Sequence, residues 1–208
     1  MTETEIKLSC ESLTRLQDAW NDVRTRYPVL APAKEFRMHS VYFDTADERL
    51  HTAGCAIRFR AENDSGCITL KTGAADSAVP GLHVRGEFEC PAQSLDEGLP
   101  RLMALLPPPL ASLLSDVSAH LQPIAEVSFC RSDFLADVSG AEIAFALDHG
   151  CFNHCPSAEF FELEAELKQG SADTLSALCA ALAASYALSP VSDSKLHRAR
   201  LHLASMPS

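Results

Sequence analysis

Eight segments of this chain alternate in the manner of β-strands, and six of them carry arginine, lysine or acid at alternate positions where neutral polar residues would be ordinary. The segments are residues 2–8, 39–44, 55–61, 66–72, 82–90, 123–137, 141–148 and 160–168. Successive side chains of a strand point to opposite faces, so alternate residues share one. "ETEIK" therefore lines one face with Glu3, Glu5 and Lys7 and the other with Thr4 and Ile6. Arg58 and Arg60 lie opposite Ile57 and Phe59, and Lys71 is in phase with Thr69. Arg85, Glu87 and Glu89 share a face, as do Glu162, Glu164 and Glu166. Asp148 closes a strand whose other residues are almost all apolar, and Arg131 follows the run "AEVSFC".

A single such strand is an ordinary wet face, but the set constrains the fold. Three glutamates in close array repel unless a cation neutralises them, and hard divalent cations do so through carboxylate oxygens. Clustered arginine and lysine need an anion, and the guanidinium fork suits phosphate. An interior with both clusters fits a metal–polyphosphate complex, the acids holding the metal and the bases the phosphates. "ENDSG" at 62–66 and Gly150 supply turn chemistry for hairpins.

Helical stretches separate these strands. "SCESLTRLQDAWNDVRTRY" offers Ser9 as an N-cap and sets Leu13, Leu16, Trp20 and Val23 on one stripe. Residues 94–106 and 109–121 form a helical pair split by prolines, 171–188 is a helix capped by Ser171 or Asp173, and the tail from 192 ends in another. Strands in hairpin order with helices between them predict an α+β protein whose antiparallel sheet closes into a barrel, which removes the exposed edges.

The 208 residues suit one domain, 1–208, with strands over roughly 2–168 and C-terminal helices over roughly 171–204. A net charge of −11 disfavours broad contact with nucleic acid or an anionic membrane. The eight cysteines are scattered without a CxxC, and are expected as reduced thiols of a cytoplasmic protein. "DHGCFNHC" gathers His149, Cys151, His154 and Cys155, but the spacing matches no standard zinc motif and the glycine and asparagine read as a hairpin turn. His39, His51 and His83 sit near strand ends as surface or packing residues.

The chain also resembles the CYTH, or triphosphate tunnel metalloenzyme, superfamily. "ETEIK" matches its ExExK signature, and the likeness continues in order through "VYFDTADERLHTAGCAIRFR", "CITLKT", "GLHVRGEFE", "IAFALDHG", "FELEAELKQG" and "SDSKLHRAR". Within it, the bacterial inorganic triphosphatases are the most similar subgroup. The resemblance implies an eight-stranded antiparallel β-barrel, or tunnel, with flanking helices and inward-facing charges. It assigns Lys7, Arg58, Arg60, Lys71, Arg85, Arg131 and Lys195 to phosphate oxygens. Glu162 and Glu164 would hold Mg²⁺ or Mn²⁺ with Asp148 nearby and Glu166 as an outer ligand. Glu3, Glu5, Glu87 and Glu89 complete the acidic side, Glu87 and Glu89 with the metal and Glu3, Glu5 and Lys7 as catalytic residues, Glu3 being favoured to orient or deprotonate water; Arg198 or Arg200 would join the site or cap a helix. The implied activity is metal-dependent hydrolysis of inorganic triphosphate to pyrophosphate and phosphate, in a monomer or homodimer. The same tunnel could serve a class IV adenylyl cyclase, a thiamine triphosphatase or a non-catalytic polyphosphate- or nucleotide-binding module.

Overall fold

The computed structural model describes residues 2–73 and 79–205. Its strands are β1 (Thr2–Ser9), β2 (Val29–Asp44), β3 (Cys55–Glu62), β4 (Ser65–Thr72), β5 (Leu82–Pro91), β6 (Gln122–Val138), β7 (Ala141–Phe152), β8 (Glu159–Gln169) and the two-residue β9 (Ser189–Pro190). The helices are α1 (Leu13–Arg26), α2 (Arg49–Thr52), α3 (Leu95–Met103), α4 (Pro108–Val117), α5 (Ala172–Tyr186) and α6 (Lys195–Ser205). The sheet runs β5-β4-β3-β2-β6-β7-β8-β1, all antiparallel, and the pairing of β1 with β5 closes it into an eight-stranded barrel, with β9 added beside β1.

The barrel buries its apolar faces outward, beneath helices, and keeps its charged faces inside. Ile6, Leu8, Phe134, Ile143, Phe145, Leu163 and Ala165 pack with Leu16, Trp20 and Val23 of α1 and Leu175, Leu178 and Leu182 of α5. A second cluster joins Ile57, Ile68 and Leu70 to Leu99, Leu102, Leu114 and Val117 of α3 and α4. The third lies on the inner face, where Phe129, Phe152 and Phe160 are in phase with Arg131, Asp148 and Glu162; there Met38, Tyr42 and these rings pack with Ala199 of α6. Strict alternation makes this possible: a one-residue slip in any strand would exchange its apolar and charged faces.

Three local expectations change. The cap of α1 is Ser12, whose hydroxyl accepts from the Arg15 amide, because Ser9 still belongs to β1 and pairs with Glu162 and Ser189. β2 begins at Val29, ten residues before its alternation becomes regular, with irregular register on β6 between Val29 and Lys34. Gly150 is no turn residue: it lies inside β7 between Phe129 and Phe160, where a Cβ would sit 2.1 Å from the Ser128 carbonyl oxygen. The turn falls instead at Asn153 and His154, both with positive φ.

Candidate active site in the barrel lumen

The barrel encloses a cavity of about 910 Å³ that the inward faces of the strands line together with α6. β1 sits between β5 and β8, so Glu3, Glu5 and Lys7 meet charges from both neighbours. Register alone brings Glu3 beside Arg85 and Lys7 beside Glu164. Acids and bases from strands far apart in the sequence are therefore interleaved in space.

On one side, Glu3 accepts from Lys71 Nζ at 2.8 Å and from Arg85 Nε at 2.8 Å. Arg85 Nη2 also donates to Glu5 at 2.5 Å, and Lys71 lies 3.1 Å from Glu87. Burial pushes the Glu3 carboxyl up, but Lys71 and Arg85 outweigh it and hold the group well below the usual carboxylate range. Glu87 goes the other way, raised mainly by burial. Lys71 is lowered by its burial and by the neighbouring Arg85 and Arg58 cations.

On the other side, Asp148, Glu162 and Glu164 are buried, and their carboxylate oxygens lie within 4.8 Å of one another. The Lys195 ammonium, from the first turn of α6, contacts all three: 3.0 Å to Asp148, 2.7 Å to Glu164, and a close contact with Glu162. Arg131 forks onto Asp148 at 2.7 and 2.6 Å and reaches Glu164 at 2.5 Å. Burial alone would raise Glu164, yet Lys195, Lys7 and Arg131 hold it well below its ordinary value. Lys7 joins the two sides, 3.0 Å from Glu5 and 3.1 Å from Glu164.

The expected site residues thus converge on one lumen, with differences of degree. Arg58 lies beside Tyr42 and Glu87, and its Nε is buried with no hydrogen-bond partner. Arg60 is held by Glu62, two residues along the same face. Glu89 lines the cavity but is exposed, and Glu166 pairs with Lys168 at 2.6 Å. Arg198 and Arg200 take different partners. Arg198 donates to Glu162 at 2.6 Å and stacks over Phe152 and Phe160, whereas Arg200 pairs with Glu48 while also lining the cavity. The helical spacing of Lys195 and Arg198, three apart and so on one face, was the available signal. Tyr42 was missed: its alternation with Ser40 looks like any half-buried strand.

Three buried carboxylates are a hard oxygen donor set that fits Mg²⁺ or Mn²⁺. Lys195 contacts all three, so a cation held by them takes over its ion pairs. The cysteine- and histidine-rich turn does not assemble as a four-ligand centre. His149 pairs with Glu159 at 2.6 Å, His154 with Glu126 at 2.6 Å, and Cys155 with Ser157 at 3.0 Å. All eight cysteines are free thiols. Among the described residues no helix is long and apolar enough to cross a membrane.

Comparison with known proteins agrees with this geometry. Residues 1–199 match the CYTH domain family. An inorganic triphosphatase of Haemophilus influenzae is 29% identical over 143 residues, a match that takes in 65% of this chain and 37% of that protein. The match therefore spans little more than a third of that curated relative. Two solved structures share the fold over almost their whole length. A putative adenylyl cyclase from Hippeastrum, described as having a dominant triphosphatase activity, is 20% identical with a TM-score of 0.64 over 96% of each chain. A putative adenylate cyclase from Bacillus halodurans is 20% identical with a TM-score of 0.60, covering 94% of this chain and 96% of that one.

Proposed function

The chain belongs to the CYTH domain family, and from that premise we propose that it hydrolyses inorganic triphosphate to pyrophosphate and phosphate with a divalent cation held by Asp148, Glu162 and Glu164. The observation that carries this reading is that Glu164, clustered with the buried Asp148 and Glu162, lines one lumen together with Lys7, Arg58, Arg60, Lys71, Arg85 and Arg131. A triphosphate alone would leave the acids repelling it, and a metal alone would leave the bases unmatched. The relatedness to an inorganic triphosphatase supports the same class of substrate.

When bound, Mg²⁺ or Mn²⁺ would supply Lewis-acid neutralisation of phosphoryl charge. The chain's own groups do the rest. Arg58, with its unpartnered Nε, and Arg60, Lys71 and Arg85 hold phosphate oxygens along one wall, Lys7, Arg131 and Lys195 along the other. Fixing a linear substrate between them provides orientation, and the preset cations stabilise charge on the transferring group. Water oxygen attacks a terminal phosphorus, the bridging P–O bond breaks, and pyrophosphate leaves with that electron pair. The water proton passes to a lumen carboxylate. Glu87 is the better acceptor, since burial raises its basicity, while Glu3, held ionised by Lys71 and Arg85, orients those two cations and the water.

The test is phosphate release from tripolyphosphate, ATP and thiamine triphosphate with Mg²⁺, Mn²⁺ or EDTA, beside a Glu162→Gln/Glu164→Gln double variant. Cation-dependent release from tripolyphosphate, lost in the variant, is expected. Tight tripolyphosphate binding without release would overturn the hydrolase reading in favour of a binding module, and cyclic AMP formed from ATP would replace it with a cyclase.

A further inference from the structure

Outside the lumen, on the solvent face of the barrel, His39 of β2, Glu126 of β6 and His154 of the β7–β8 turn bring one donor atom each within 4.8 Å of one another. Both imidazoles present Nε2 to the same Glu126 oxygen, His154 at 2.6 Å and His39 at 3.5 Å. Tetrahedral ligation at about 2.0–2.1 Å sets donors about 3.3 Å apart, which lies between those two separations. The rings face each other with centroids 5.6 Å apart and planes inclined by 22°.

Two further observations go beyond this convergence. His39 Nδ1 lies 3.0 Å from Ser128 Oγ, an outer partner of the kind that orients a metal-binding histidine, and its Nε2 is the nitrogen turned toward Glu126. The turn is also built to return His154 to Glu126. The Asn153 amide donates to the Glu126 carbonyl at 2.8 Å, and the Asn153 side-chain oxygen accepts from the Glu126 amide at 3.0 Å. Asn153 and His154 then take consecutive left-handed conformations, φ 50° and 56°, which side-chain-bearing residues adopt at a cost. His39 completes the set through register: it pairs with Ser128, one step along the same face from Glu126.

We infer that His39, Glu126 and His154 form a binding site for one borderline divalent cation of the Zn²⁺ class, with solvent completing its coordination. Two imidazoles and a carboxylate suit zinc, cobalt, nickel or copper rather than magnesium, the opposite preference from the all-carboxylate lumen. The bound ion staples β2, β6 and the β7–β8 turn. That turn is in turn tied to α6, because Asn153 Nδ2 donates to the Ala199 carbonyl at 2.8 Å.

The experiment is calorimetric titration of the whole chain with Zn²⁺ in excess Mg²⁺, which occupies the lumen carboxylates, with Co²⁺ absorption as a second readout. One equivalent of Zn²⁺ is expected, lost in His39→Ala/His154→Ala and in Glu126→Gln, and weakened about tenfold or more in Ser128→Ala. The Co²⁺ adduct should show ligand-field bands without thiolate charge transfer. Zn²⁺ at a hundredfold excess over Kd should raise the melting temperature of the parent by roughly 5–10 °C and leave that of the double variant unchanged. Undiminished Zn²⁺ stoichiometry in the double variant, or a thiolate band in the Co²⁺ adduct, would overturn the assignment. Since the readout is binding, it stands whether or not tripolyphosphate is hydrolysed.

Discussion

Replacing Lys195 by methionine removes one charge while keeping the length of the stem, and the consequences can be worked from its contacts. The ammonium is 6% exposed and touches Asp148, Glu162 and Glu164. Burial would lower its pKa, but those three acids raise it well above the ordinary lysine value, so its contribution is complete below that value and lost only as pH rises through the higher folded pKa. Removing one partner of a buried ion pair costs about 3–5 kcal/mol. Arg131, Arg198 and Lys7 remain on the same acids, which favours the lower end, about 3 kcal/mol, or roughly 6–12 °C in melting temperature for a chain of this size. Magnesium should then do more for the variant than for the parent, because it no longer competes with an ammonium; full occupancy at a hundredfold excess over Kd returns about 2.7 kcal/mol. Thermal melts of both proteins in EDTA and in Mg²⁺ test this directly. A variant that melts within about 2 °C of the parent in EDTA, or equal Mg²⁺ protection of the two, would refute the idea that Lys195 stands in for the cation.

Acid should unfold the protein earlier than its core alone would dictate. Glu3 and Glu164 have depressed pKa values in the fold, so their stabilisation is present above the ordinary carboxylate value of 4.5 and drains away as pH falls below it, a trend that urea melts from pH 6 to pH 2 will register. Gly150→Ala should destabilise by about 2–4 kcal/mol, since its Cβ meets the Ser128 carbonyl oxygen at 2.1 Å and the Phe129 Cβ at 2.4 Å inside a paired strand; chemical denaturation measures it. Asp44→Ala should cost about 3 kcal/mol, because the buried carboxylate accepts from the amides of Thr45, Leu50 and His51 and holds the corner between β2 and α2. Among the cysteines, the exposed Cys130 should react with a thiol reagent well before Cys179, whose buried thiol is pushed up to about 12; mass mapping after partial labelling decides the order.

Alternation made most of the architecture readable. Period-two charge on "ETEIK", "RFR", "RGEFE" and "ELEAE" exposed both the strands and the unusual sign of their polar face, and Ile6, Ile57 and Leu163 on the other face foretold helices outside. What alternation cannot convey is adjacency. Glu3 pairs with Arg85, and Lys195 with Asp148, Glu162 and Glu164, only because closure brings distant strands and α6 together. That is why the partners of each acid and base could not be read from the strands alone. The first part of β2 was invisible because "VLAPAKEFR" carries a proline and irregular pairing, with no period to read. Gly150 misled for a related reason: a glycine needed for close approach within a sheet has the same letter as one needed for a turn.

The seam of the barrel also bears on how the protein comes into being. β1 is synthesised first, yet its partners are β5 and β8, and Lys7 and Glu164 are separated by 157 residues of chain. At about 5–20 residues per second, Lys7 waits on the order of ten to thirty seconds for Glu164 to leave the ribosome. During that interval β5 is made and can cover one edge of β1, but the edge that takes β8 stays open to other chains. The lumen is complete only when β8 and Lys195 of α6 have reached β1 and its neighbours, so its ion pairs belong to the finished topology and not to mere collapse.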